Sequence, residues 1–172
     1  FKNESSSSIE TNINHMKLSE KQEEAFVKYK RGENVFITGP GGTGKSELIR
    51  AIYADAQESK KKIAVCAMTG CAAVLLKCNA KTVHSWGGLG RCIGETDDII
   101  TRIKENRYKR GMWYTVDILV IDEVSMMSKK LFEIMDSLGK VIRKKSWKPF
   151  GGIQLIFSGD FHQLPPIGEK DE

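Results

Sequence analysis

The sequence predicts an α/β domain, a parallel β-sheet flanked by helices, and three observations lead there. Short apolar runs at residues 35–38, 63–68, 117–122 and 153–157 alternate with stretches of helical periodicity, the order that builds β-α-β units. The runs are apolar nearly throughout instead of alternating, as strands covered on both faces are. Each run is followed by a cluster of Gly, Thr, Ser, Asp or Glu, at the strand ends where open α/β sheets bind their ligands.

Taken in order, residues 1–16 are polar, include Ser5 to Ser8 and show no apolar period. They read as a flexible leader, with residues 17–172 as the folded domain. Ser19 followed three residues later by Gln22 fits a capping box, and Ala25, Phe26 and Tyr29 continue a helix face. Residues 31–34 close that helix and feed the first strand. The next helix is predicted over 45–56, and Lys60, Lys61 and Lys62 form a charged turn into the second strand. Thr69 and Gly70 then turn into a helix through Ala72, Ala73, Leu75 and Leu76. Residues 82–90 hold too many glycines for an element interior and read as irregular. From Asp97 a helix with Ile99, Ile100 and Ile103 on one side leads into a basic run at 104–110. After the third strand, Leu131, Ile134, Met135, Leu138, Val141 and Ile142 mark an amphipathic helix over 129–145. Gly139 inside it costs roughly 1 kcal/mol against alanine.

At 172 residues the chain is one domain long, and its balance of 40% hydrophobic to 28% charged residues suits a soluble globular protein. No apolar run approaches the roughly 18 residues of a membrane span. A net charge of +5 makes a polyanion a reasonable partner. Cys66, Cys71, Cys78 and Cys92 lack the paired C-x-x-C spacing of a zinc site, so they are expected to be reduced thiols in an intracellular protein. The chain begins at Phe1, which suggests a segment of something longer.

The most informative stretch is Gly39, Pro40, Gly41, Gly42, Thr43, Gly44, Lys45, Ser46, set between a strand and a helix. It matches the G-x-x-x-x-G-K-[ST] phosphate loop in the context that pattern requires. Small residues let successive backbone N–H groups wrap a polyphosphate at the positive end of the following helix. Lys45 is expected to reach the outer phosphates of a nucleoside triphosphate, and the Ser46 hydroxyl to hold Mg²⁺. Asp122 and Glu123 end the third strand, where Asp122 suits the metal shell and Glu123 suits accepting a proton from an attacking water. After the fourth strand, Gln163 carries an amide able to touch a γ-phosphate and that water. His162 has no second histidine or cysteine at metal spacing and reads as a surface or packing residue.

These motifs together resemble the PIF (petite integration frequency) family of superfamily 1 DNA helicases. The stretches that carry the resemblance are LSEKQ, GPGGTGKS, AMTGCAA, TVHSWGGLG, LVIDEVSMM and PFGGIQLIFSGDFHQLPPI, from about Leu18 to Ile167. The last of these, with the helix before it, resembles the family's own signature and separates it from the RecD-type helicases. The resemblance implies a RecA-like domain that binds ATP, with Gln22 recognising adenine. It implies that Asp160 and Gln163 sense the γ-phosphate. It further implies that Thr69, Gly70 and Ala72 contact a single-stranded DNA backbone and that His84, Ser85 and Trp86 form a second DNA-contacting motif. Hydroxyls and a helix start at Gly70 suit phosphates. Trp86 either stacks on unpaired bases or anchors its loop to the core. The basic run at 104–110 is either a further DNA contact or a solvated helix end.

A helicase of this class uses two RecA-like domains that close on ATP. The family's later motifs, including an arginine reaching across the cleft, are expected downstream of Glu172. Such an arginine accelerates phosphoryl transfer on the order of a thousandfold or more. The expectation is therefore the first motor domain of a monomeric helicase running 5′ to 3′ on single-stranded or forked DNA inside the cell. Its partners are ATP, DNA and a second RecA-like domain, and it does not act at a membrane. The alternative is a stand-alone nucleotide-binding regulatory module, and a kinase is disfavoured by the paired Asp122 and Glu123.

Overall fold

The computed structural model describes residues 19–38 and 44–160. The leader, Gly39 to Thr43 of the phosphate loop, and the loop carrying His162 and Gln163 lie outside the described residues.

Helix α1 (Glu20–Lys30) starts on the expected capping box: Ser19 Oγ accepts the Gln22 backbone N–H, and the side-chain oxygen Oε1 of Gln22 accepts the Ser19 backbone N–H at 2.9 Å. Strand β1 (Val35–Thr38) follows, then α2 (Lys45–Glu58), β2 (Ile63–Ala67) and α3 (Gly70–Leu76). Next come a two-residue strand β3 (Lys81–Thr82) and helices α4 (Val83–Gly87), α5 (Thr96–Glu105) and α6 (Arg107–Thr115). Strand β4 (Ile118–Asp122), a 3-10 turn at Val124–Met126, α7 (Lys129–Arg143), a second 3-10 segment at Pro149–Gly152 and β5 (Gln154–Gly159) complete the order.

The five strands pair in the order β1-β5-β4-β2-β3, every neighbour parallel. This is the predicted class, with β3 as an edge strand that two residues are too few to announce. The apolar side chains of the sheet enter two cores. One gathers Phe26, Tyr29, Leu48, Ile52, Leu76 and Val120 beneath α1, α2 and α3. The other gathers Trp86, Ile103, Trp113, Leu119, Leu138 and Phe150 beneath α4 to α7. Buried Asp55 ties α2 to α1 by accepting from Tyr29 Oη at 2.8 Å and Lys30 Nζ at 2.9 Å. Burial, and then the neighbouring Asp55 carboxylate, push the Tyr29 phenol well above its ordinary range.

Two expectations need correction. Residues 82–90 are not irregular: Thr82 Oγ1 accepts the Ser85 N–H at 3.2 Å and starts α4, and Gly88 ends it at φ 73°. The glycines there mark a helix end. The helix entering the basic run is two helices, because Asn106 turns extended (ψ 105°) and its side chain caps α6 through the Lys109 N–H at 3.1 Å. Helix α6 was invisible as a periodic pattern, since Trp113 is its only fully buried residue. Gly139 has a packing reason: a Cβ there would overlap the Phe150 carbonyl, where the 3-10 backbone lies against α7.

Candidate active site at the strand ends

The register of the sheet brings the motifs together. Thr38 of β1 pairs with Gly159 of β5, and β5 pairs with β4, which ends at Asp122. Ala67 of β2 pairs with Asp122, so the residues just past β2 and β4 meet. Between them opens a cleft of about 400 Å³ lined by Lys45, Ser46, Asp122, Glu123, Ser125 and Asp160, among others.

Its floor is the start of α2. Ser19, Thr69, Thr82, Asn106 and Ser128 each cap the helix that follows with a side-chain oxygen. Gly44, at φ 83°, offers α2 no such cap, and neither does Glu95 at the start of α5, away from the cleft. The helix start that lines the cleft therefore has no side-chain cap from its N-cap residue, an arrangement that suits an anion. The Gln22 amide packs so closely on Gly44 that a Cβ there would overlap its nitrogen. Gln22 lines a hollow next to the cleft with Thr38, Lys45 and Leu48.

The acids are held from behind. Ser158 donates its hydroxyl hydrogen to Asp122 Oδ1 at 2.6 Å, and Thr69 donates to Glu123 Oε1 at 3.1 Å. The same Thr69 oxygen accepts the Ala72 N–H at 3.3 Å, so one hydroxyl caps α3 and touches Glu123. Glu123 itself adopts a left-handed backbone, φ 58° and ψ 35°, a conformation that costs a non-glycine residue about 1–2 kcal/mol and gathers at functional sites. For Mg²⁺ the donor set fits a cation held mainly through substrate oxygens and water: Ser46 and Asp122 share the cleft, while no group of three or more His, Cys, Asp or Glu forms a cage among the described residues.

A family model described as PIF1-like helicase matches residues 17–172. The chain belongs to the PIF1-like helicase family. It is 41% identical over 145 residues to the ATP-dependent DNA helicase PIF1 of Emericella nidulans, covering 81% of this chain and 19% of that protein. It is 39% identical over 145 residues to the ATP-dependent DNA helicase RRM3 of Saccharomyces cerevisiae, covering 83% and 20%. The crystal structure of Pif1 helicase from Candida albicans superposes with a TM-score of 0.81 at 38% identity, over 88% of this chain and 34% of that one. Pif1 helicase from Bacteroides in complex with ADP-AlF3 and ssDNA gives 0.71 at 29% identity, over 89% and 34%. The chain thus spans about a fifth of the curated relatives it matches.

Within this PIF1-like domain the structure separates the residues of the two expected DNA-contacting motifs. Thr69, Gly70 and Ala72 stand at the start of α3, Thr69 reaching the cleft and Gly70 exposed. In the second motif Ser85 is exposed, His84 half-buried and Trp86 buried. The Trp86 ring packs against Trp113 at 4.8 Å between centroids, and Trp113 Nε1 donates to the Gly87 carbonyl at 3.2 Å. Of the two readings of Trp86, packing is therefore the one this structure supports. Lys109 of the basic run fits neither earlier reading, because its Nζ turns inward to the carbonyls of Ser85 at 2.8 Å and Trp86 at 3.3 Å. Burial, with Lys81 nearby, lowers its pKa.

Ser158 and Arg50 escaped the sequence reading. Ser158 was signalled only as a lone hydroxyl inside an apolar strand. Arg50, one and a half turns along α2, lines the cleft and donates to the Leu75 and Leu76 carbonyls at 3.1 and 3.4 Å. Nothing in the spacing of α2 marks it.

Proposed function

We propose that this chain is the ATP-binding first motor domain of a DNA helicase that moves 5′ to 3′ along single-stranded DNA within the cell. Hydrolysis requires a second RecA-like domain to complete the site. The observation that supports this most is the convergence of Lys45, Ser46, Asp122 and Glu123 on one cleft above the uncapped start of α2. Relatives named as ATP-dependent DNA helicases, and the Bacteroides protein with its ADP-AlF3 and ssDNA, agree with that reading.

In this reading Gln22 meets the adenine. Gly39 to Gly44 and the first N–H groups of α2 cradle the phosphates, Lys45 neutralises the outer ones, and Ser46 and Asp122 would hold Mg²⁺. The metal supplies charge neutralisation on the phosphate oxygens when bound. Asp122 keeps its orientation through Ser158. Glu123 takes the proton of the attacking water as its oxygen bonds in line to the γ-phosphorus and the bond from that phosphorus to the β–γ bridging oxygen breaks, ADP leaving with the oxygen and its electron pair, while Asp160 and Gln163 read the state of that phosphate. Thr69, Gly70, Ala72, His84 and Ser85 face the DNA. Because Thr69 also touches Glu123, one side chain connects the DNA backbone to the base.

The test is ATP hydrolysis by the full-length protein with and without single-stranded DNA, alongside Glu123→Gln. Hydrolysis should rise with DNA, and the variant should lose it by a factor of 10² to 10⁴ while still binding ATP. Hydrolysis indifferent to DNA would favour the regulatory module, and a Glu123→Gln protein that hydrolyses ATP normally would remove Glu123 from the chemistry.

A further inference from the structure

A second feature lies away from the cleft, toward the edge where the strands begin. Tyr114 stands four residues before β4, and the end of α7 turns back toward β5. Between them runs a groove of about 700 Å³ lined by Lys104, Arg107, Arg110, Gly111, Tyr114, Val141, Ile142 and Lys144. Its wall carries four cations and no acid, and none of the four belongs to an ion pair among the described residues.

Folding explains only part of this crowding: Arg110 Nη1 donates to the Lys104 carbonyl at 3.3 Å across the junction of α5 and α6, which does not call for Lys104, Arg107 and Lys144 beside it. Arg107 and Arg110 occupy the first turn of α6, which holds no acidic residue, and that is the positive end of the helix dipole. Each cation there is disfavoured by about 0.3–1 kcal/mol, and they also repel one another. An anion in the groove relieves both effects. Arg107, Arg110 and Tyr114 fall at i, i+3 and i+7, on one face of α6. Tyr114 remains 62% exposed on that face, although it is a large aromatic beside the apolar Val141 and Ile142. A Cβ at Gly111 would meet nothing within 4 Å, so the floor beside Tyr114 is open. The groove is also preformed, because Arg143 Nη1 donates to the carbonyls of Trp113, Tyr114 and Val116 and fixes the end of α6 against α7.

We propose that this groove is a second single-strand DNA site, separate from the motor track. It holds phosphates on Lys104, Arg107, Arg110 and Lys144 and lays a base on Tyr114. Interleaved cations and exposed aromatics are what unpaired strands bind. An acidic peptide would satisfy the charges but gives an exposed tyrosine face less to do. The inference takes from the proposed function only that the polyanion is DNA. Its location leaves the ATP cleft free, so an arm of a fork can rest here while the motor works on the other.

The experiment uses the full-length protein, a labelled fork with two unpaired arms, and a short oligonucleotide long enough only for the motor track. Lys104→Glu with Arg107→Glu and Arg110→Glu should weaken fork binding tenfold or more. It should flatten the log affinity against log salt slope by about 2, at about 0.7 per single-strand phosphate contact. Hydrolysis stimulated by the short oligonucleotide should stay at the wild-type level. Tyr114→Ala should weaken fork binding about fivefold or more with the slope unchanged. Lys60→Glu with Lys61→Glu and Lys62→Glu, an equal charge change on an exposed turn, should do neither. If the triple variant loses its cooperative melt, Lys144→Glu alone carries the test with a slope change of about 0.7. Wild-type fork affinity and slope in the groove variants overturn the proposal, as does an equal loss in the Lys60, Lys61 and Lys62 control. Unchanged fork binding with lost binding of a poly-glutamate peptide would assign the groove to an acidic protein segment instead. Failure of the short oligonucleotide to stimulate the wild-type protein would count against the helicase reading, leaving fork binding to judge the groove.

Discussion

The two edges of the sheet treat their polar groups in opposite ways. Where the strands begin, backbone groups are claimed by side chains, and only the cations of the groove beside α6 are left over. Arg143 donates to four carbonyls. Gln154 Nε2 bridges the carbonyls of Tyr29 and Glu33 at 2.9 Å each, Asn34 Oδ1 takes the Leu155 N–H, and Asp117 takes the Lys62 N–H at 2.8 Å. Where the strands end, α2 starts without a side-chain cap, Glu123 sits in a left-handed backbone, and two acids are steadied by single hydroxyls. The first edge, its groove aside, spends its polar groups on holding the layers together. The second keeps donors and acids turned toward a ligand, and such sites give up local stability in return.

The largest effect that would break this division comes from Arg143. Arg143→Ala strands four carbonyls and separates α6 from α7, which should cost about 3–4 kcal/mol in a denaturant melt. Nucleotide affinity of the folded fraction should stay unchanged; a matching loss of ATP binding would show that the edges are not independent. Gly139→Ala should cost about 2 kcal/mol despite the better helix propensity of alanine, because the new methyl meets the Phe150 backbone and not a side chain that can move. A neutral or stabilising Gly139→Ala in the same melt would mean that α7 and the 3-10 segment are looser than their contact implies.

The same division explains what was legible in the sequence. Strands at 63–68 and 117–122 could be read because burial on both faces makes them apolar runs, and the strand-end motifs because their residue types are rare in that setting. The contacts behind them were not. Thr69 and Glu123 lie 54 residues apart and meet only through the pairing of Ala67 with Asp122, a register no local pattern encodes. The left-handed Glu123 leaves no trace in residue type, since glutamate is not a residue chosen for that region. The basic run misled because charge alone does not say which way a side chain turns: Lys109 faces inward, while Arg107 and Arg110 line a groove. Trp86 stayed ambiguous until Trp113 was placed beside it, and both lie in helices that periodicity missed.

The finest probe of the comparison is Thr69, whose single hydroxyl serves both stability and the site. Thr69→Val removes the cap on the Ala72 N–H and should cost about 1 kcal/mol, the usual worth of such a cap. That is well below the loss expected for Arg143→Ala. Its effect on coupling should be out of proportion to that figure. Without the donor to Glu123, the link between the expected DNA contact at the start of α3 and the base is cut. The DNA-stimulated rate should then fall about tenfold toward the basal rate, with KM for ATP little changed. Thr69→Ser keeps the hydroxyl and should recover both the melt and the stimulation. A purely structural role would move stability and both rates together and would show no split between kcat and KM. If Thr69→Val keeps full stimulation at lowered stability, Thr69 is a helix cap alone, and the strand-end edge stabilises the fold in the same way as the edge opposite.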